Sequence, residues 1–294
     1  MENNLSHNTS AGVRIIVMLI LALVGLVIAT MFVGVLDRLP KFDATLCLIF
    51  LQDIFVFILP AILAVLFFYR RPWKQLRLNR APSLKGVSLA VIVCIVSIPA
   101  LNWIVAWNQG LHLPQSMAPI EQFMRDAEST AQILTNMLLS ETRVLPMLVV
   151  LFVVGFMAGL SEEIFFRGGM LRMLKGGGNS HLAVWGIAIV FSAMHMQFFG
   201  FFPRMLLGAW LGYLLVWTRS LWVPIIAHAL NNSLVVVSSW LTNVELLPKD
   251  YIENIGVPQD GGFPVLAVVS AIATVAIIVA LKRSVEQRDM VYPV

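Results

Sequence analysis

Two adjacent carboxylates, Glu162 and Glu163, follow the apolar run Leu145 to Leu160 and precede Ile164, Phe165, Phe166 and Arg167. A charged side chain at membrane depth costs roughly 2.5–3.5 kcal/mol on insertion scales, so ionisable groups inside apolar runs are candidate functional residues. Helix positions four apart share a face, so Glu163 can pair with Arg167. Glu162 projects about 100° away and is left without that partner. One carboxylate is then structural and the other free for chemistry. A plainer reading competes with this one: two solvated charges capping a helix at the membrane surface.

Of the five histidines, only His195 and His228 fall within apolar runs; His7 and His112 lie in polar segments and His181 at the edge of a run. A lone histidine there is more often a hydrogen-bonded packing residue. Two histidines, a glutamate pair and an asparagine on three helices are harder to dismiss. His228 and Asn232 are four apart and share a face, whereas Asn231 falls on a neighbouring one. At about 1.5 Å per residue, Glu162 lies up to roughly 20 Å from the turn at Lys175, His195 about 21 Å from His181, and His228 about 12 Å from Ser220. All three can meet inside a bilayer, where unpaired polar groups are costly.

These residue types suit hydrolysis. A buried carboxylate can take a proton from water and return it to a leaving amine. Histidines can bind a metal that activates the water, or polarise a carbonyl directly. An asparagine amide can donate to a developing oxyanion. Two histidines and a carboxylate also match a common catalytic zinc set, yet a carboxylate that ligates zinc cannot simply double as the base. The spacing leaves both roles open between Glu162 and Glu163. HExxH and Gly-x-Gly-Asp are absent, and no Walker loop or dinucleotide fingerprint supports ATP-driven transport.

The elements that must position these groups are membrane helices. Hydrophobic residues make up 59% of the 294, charged residues 12%, and the mean hydropathy is +0.85. A soluble domain carries about 25% charged residues, so the composition predicts an all-α, polytopic membrane bundle of about eight transmembrane helices. Residues 1–294 read as a single integral membrane domain with its motif-bearing core at about 145–235. The small basic excess clusters beside apolar runs, which speaks for topology and against nucleic acid. Cys47 and Cys94 lie in apolar runs without CxxC or Cys/His spacing, which argues against a structural disulfide.

In order, the expected spans are about 12–36, 44–69, 86–107, 145–172, 182–197, 204–218, one beginning after Ser220, and 263–281. The loop with Arg70, Arg71, Lys74, Arg77, Arg80 and Lys85 holds no acid and is expected in the cytoplasm, which puts both termini there too, with Lys175, Arg219 and Arg288. Between Asn108 and Arg143, Ile120, Phe123, Met124, Ala127, Ala131, Leu134 and Leu138 recur at helical spacing. That segment is expected as an amphipathic helix on the outer surface or capping the bundle, as a packed connector more readily than a lid. Gly208 and Gly212 form a GxxxG face for close packing.

The three polar motifs, in this order and on successive apolar segments, resemble those of the CPBP family of intramembrane proteases. That family includes type II CAAX prenyl endopeptidases and bacterial proteins linked to bacteriocin processing and self-immunity. Its EExxxR motif is matched by Glu162 to Arg167, its FxxxH motif by Phe191 to His195, and its HxxxN motif by His228 to Asn232. Specific likeness covers about residues 145 to 235.

The resemblance implies an active-site cavity open to one side of the membrane. Glu162 would activate the water, with Glu163 beside it and braced by Arg167. His195, His228 and Asn232 would hold the water or stabilise the oxyanion, while Phe191 packs the second motif. The family name implies a metalloprotease, with a divalent metal, zinc by preference, on Glu163, His195 and His228; a glutamate-driven, metal-free mechanism fits the same residues. The expected activity is endoproteolysis of a membrane-associated peptide or lipidated protein, a prenylated CAAX chain among the candidates. The alternatives are a non-proteolytic immunity or scaffold protein, and a transporter using Glu162, His195 and His228 as a proton relay. The expected location is a bacterial inner membrane.

Overall fold

The computed structural model describes residues 9–69, 71–174 and 179–291, with 285–291 described by backbone alone. Arg70, the turn 175–178, His7 and the side chain of Arg288 lie outside the described residues. Among those described the chain is helical, with no strand. The principal helices are α1 (Ala11–Leu36), α2 (Lys41–Phe68), α3 (Leu84–Val96), α4 (Ile98–Gln109), α5 (Ala118–Leu139), α6 (Val144–Leu174), α7 (Ser180–Met194), α8 (Phe201–Thr218), α9 (Trp222–Asn243) and α10 (Val265–Val291).

Among the described residues six helices are long and apolar enough to cross a membrane, and a seventh span forms if α3 and α4 count as one. Their axis bends by 47° between Val96 and Ile98, where Pro99 cannot donate to the helical ladder. The shorter apolar α7 accounts for the last of the eight expected segments. The sequence extends it to Gln197; the structure ends it at Met194, after 15 residues. At 1.5 Å per residue it is about 22 Å long, short of a hydrocarbon core of about 30 Å.

The bundle is apolar outside as well as inside. Ile16, Ile20, Leu23 and Val27 along α1, and Val265, Val269, Ile272 and Val275 along α10, are exposed. That is the surface expected of a chain solvated by lipid. The main core lies between α1, α2, α6, α7 and α8, and is built on Met18, Ala61, Phe165, Phe166, Phe191 and Leu215.

Small residues decide which helices approach closely. A Cβ on Gly159 would lie 2.9 Å from the backbone nitrogen of Ala229, and one on Gly155 2.8 Å from Ser233 Oγ. These glycines draw α6 onto α9 beside His228. Gly208 and Gly212 do the same between α8 and α7, where a Cβ would meet Phe191 at 3.1 Å and Val184 at 3.0 Å.

Candidate active site

The sequence brings α6 into the core as an apolar helix interrupted by charge, and its geometry changes around the interruption. Residues 151–157 and 163–171 are π-helical, flanking a single α-helical turn, Ala158–Glu162. π-helical turns carry a surplus residue and are frequent at functional sites. Glu162 and Glu163 straddle the junction and face different surroundings.

Glu163 is fully buried. One of its oxygens, Oε1, accepts from Arg167 Nη1 at 2.6 Å and lies 2.9 Å from His228 Nδ1. Arg167, also fully buried, donates from Nη2 to the Gly208 carbonyl at 2.9 Å and lies over the Phe191 ring at 4.6 Å. One ion pair therefore ties α6 to α8 and α9. A buried pair of this kind depends on hydrogen bonds to compensate desolvation; here His228 and the Gly208 carbonyl provide two, while Glu163 Oε2 and Arg167 Nε are buried with no partner among the described residues.

Glu162 is bound differently. Its side chain is 16% exposed, its Oε1 lies 4.0 Å from His195 Nε2, and its Oε2 lies 3.7 Å from His228 Nε2. Oε2 is buried and makes no hydrogen bond to the described residues. Both separations exceed a direct hydrogen bond and suit a bridging molecule.

The histidines are oriented from behind. His195 Nδ1 lies 2.8 Å from the Phe191 carbonyl, one of the carbonyls left over at the end of α7. A carbonyl only accepts, so Nδ1 carries the proton and a neutral His195 presents the Nε2 lone pair towards Glu162. The Glu163 carboxylate imposes the same tautomer on His228. Phe191 packs edge-on against both rings, with centroids 5.0 and 5.8 Å away. Asn232 lies one turn beyond His228, and its Nδ2 donates to the Val154 carbonyl on α6 at 3.3 Å.

Residues 144–234 match the family model of the type II CAAX prenyl endopeptidase Rce1-like proteins. Within that segment the chain is similar to the CPBP/CAAX proteases, and the match supports membership of that family. No curated protein and no solved structure matches it. The matched segment runs from the start of α6 into α9 and contains every residue of the three motifs.

The CPBP name raises the question of metal. The set Glu163, His195 and His228 does not converge, because Glu163 meets His228 at Nδ1, on the opposite side of the ring from the Nε2 that faces Glu162. Among the described residues no group of three or more His, Cys, Asp or Glu is placed to hold an ion. As placed, Glu163, His195 and His228 do not share one metal position.

Two features near the carboxylates escape sequence reasoning. Asp53 is buried on α2, and its Oδ1 accepts from Ser161 Oγ at 2.6 Å. The partners are 108 positions apart, and no local spacing announces the contact. The Gly155–Gly159 pair was legible, since it repeats the GxxxG spacing seen at Gly208 and Gly212. On the far side of His195, the turn to α8 is tied to α5. Glu128 accepts from the Phe199 N–H at 3.1 Å, and the Arg125 guanidinium lies 4.4 Å over the Phe199 ring.

Proposed function

We propose that this protein is an intramembrane endopeptidase in which Glu162 activates water without a metal. The observation that carries the proposal is the position of the Glu162 carboxylate. It sits between two imidazoles already fixed in tautomer, while its neighbour Glu163 is consumed by Arg167 and His228. The family match supports a CAAX-type membrane protease, and the substrate is taken to be a membrane-associated peptide or lipidated protein, prenylated CAAX chains included.

In the proposed reaction, water donates one hydrogen bond to Glu162 Oε2 and the other to His228 Nε2, beside His195. Glu162 takes one proton as the water oxygen bonds to the scissile carbonyl carbon. The carbonyl π electrons move to oxygen, and the Asn232 amide donates to the resulting oxyanion. Collapse of the intermediate breaks the C–N bond, and Glu162 returns its proton to the departing amine. One water is consumed and the carboxylate is regenerated. Glu163 and Arg167 touch no reacting atom in this scheme; they hold His228.

The positive-inside pattern supports a chain with both termini in the cytoplasm, and a bacterial inner membrane is the proposed location. The test is cleavage of a membrane-anchored peptide library by the purified, reconstituted protein, with chelator added to one arm. The proposal predicts cleavage in both arms. Cleavage abolished by chelator and restored by zinc would replace the metal-free step. No cleavage by a folded sample would remove the peptidase reading.

A further inference from the structure

Away from the carboxylates, at the basic end of the bundle, three arginines from three chain segments line one cavity of about 60 Å³. They are Arg77 in the α2–α3 connection, Arg172 near the end of α6, and Arg219 between α8 and α9. The other described lining residues are Leu171, Leu215 and Val216, so the cavity has an apolar floor, with no carboxylate among the described residues of its wall. We propose that this cavity binds a phosphate-bearing anion, presented either as a phospholipid headgroup or as free phosphate.

Ordinary topology does not account for the arrangement. Basic residues at one end of a membrane bundle are expected, and Arg172 and Arg219 also sit near helix C-termini, whose dipoles favour cations. Both rules are met by arginines that splay into water. Here the three line one cavity instead. Like charges gathered around a small space repel, and burial followed by the nearby Arg172, Arg80 and Arg219 pushes the Arg77 guanidinium below its ordinary value. An anion between them reverses the sign of that interaction. Guanidinium groups are the preferred partners of phosphate, since their planar donors match its oxygens in pairs.

The backbone holds the cluster in place. Arg77 and Arg219 both lie at positive φ, 62° and 55°, a region that L side chains seldom occupy. The Leu221 N–H donates to the Arg77 carbonyl at 3.2 Å, Trp222 Nε1 to the Leu78 carbonyl at 2.9 Å, and Ser220 Oγ to the Arg80 carbonyl at 2.7 Å. Arg172 Nε donates to the Gln75 carbonyl at 3.2 Å. The α2–α3 connection is thus stapled to the α8–α9 turn and to the end of α6, and the three guanidinium-bearing positions are fixed before any ligand arrives. Basic pockets between membrane helices are established recognition sites for lipid headgroups.

The backbone also supplies a clean variant. Glycine favours positive φ, so Arg219→Gly and Arg77→Gly each remove a guanidinium while keeping the turn. The full-length protein in a neutral maltoside would be titrated with phosphatidylglycerol, with diacylglycerol as a phosphate-free lipid, and with inorganic phosphate against chloride at matched ionic strength. Thermal unfolding and native mass spectrometry would read binding. The proposal predicts saturable stabilisation by phosphatidylglycerol but not diacylglycerol, weakened about tenfold or more in Arg219→Gly. Stabilisation by inorganic phosphate as well would assign a free-phosphate site; its absence would assign a headgroup site. If Arg219→Gly does not fold, Arg77→Gly is read in its place, and the wild-type titration stands by itself. No saturable stabilisation of wild type by either phosphate source, an equal effect of diacylglycerol, or undiminished binding in the folded variant would overturn the proposal.

Discussion

The same three side chains meet twice in this molecule. On α6, Glu163 bonds Arg167 four residues on at 2.6 Å and His228 Nδ1 at 2.9 Å. On α5, Glu121 bonds Arg125 four residues on at 2.6 Å and His112 Nδ1 at 3.0 Å. The distances are nearly identical and the surroundings are opposite. The inner carboxylate and guanidinium are wholly buried, while His112 is 73% and Arg125 39% exposed. Distance alone therefore says little about what a contact contributes. In water the charges are solvated whether or not they pair; inside the bundle, each depends on the other.

The largest expected effect follows directly. Arg167→Ala leaves Glu163 and His228 buried without their cation, and should lower stability by roughly 3–5 kcal/mol. Arg125→Ala, read by the same thermal unfolding in detergent, should change little. Equal losses in the two variants would remove the distinction. Double-mutant cycles on the two Glu–Arg pairs would sharpen it, with the inner coupling expected to be the larger.

Both pairs were legible in the sequence, since four-residue spacing on a helix announces each. Their environments were legible too, in coarser form: the inner pair interrupts an apolar run, and the outer one lies on an amphipathic stripe with Glu121, Asp126 and Glu128. The three motif segments, and so the residues the structure brings together, could be read from helical spacing and span order. What stayed out of reach were contacts between distant segments. Asp53 meets Ser161, and Glu128 meets the turn at Phe199, with nothing in either local pattern to point to the other. The π-helical turns were equally hidden, because they change the register of α6 without changing its hydropathy. The early end of α7 at Met194 depends on His195 turning back onto the Phe191 carbonyl and on Met196 at a φ of 54°, which are geometric facts rather than compositional ones.

A smaller effect probes what the inner triad is for. Asn232→Ala removes a donor on the His228 face, and should lower turnover by about 10²-fold while leaving substrate affinity nearly unchanged. A large affinity loss with an unchanged single-turnover rate would assign Asn232 to binding instead. Gly159→Ala places a methyl 2.9 Å from the Ala229 nitrogen, so α6 and α9 must part. The expected cost is roughly 1–3 kcal/mol, with a drop in turnover as His228 moves away from Glu162. Unchanged stability and turnover would show that close helix approach does not set the His228 position.

The smallest effect belongs to the outer triad and is set by pH. The hydrogen bond from Arg125, then those from the Leu113 N–H and His112, lowers the Glu121 carboxyl from 4.5 to about 2. A carboxyl depressed on folding stabilises the folded state above its unfolded value, and that contribution is lost as pH falls through the folded value. The stability difference between wild type and Glu121→Gln should therefore shrink as pH falls from about 4.5 towards 2. A difference that grows over this range would contradict the sign.

The central claim is that two neighbouring carboxylates divide the work, Glu163 holding the site and Glu162 performing the chemistry. Glu162→Gln and Glu163→Gln, reconstituted side by side, test it most directly through melting temperature and cleavage of the same peptide. The account predicts that Glu162→Gln melts close to wild type with cleavage reduced by about 10²–10⁴-fold, and that Glu163→Gln melts well below it. Normal turnover by a folded Glu162→Gln protein would contradict the account.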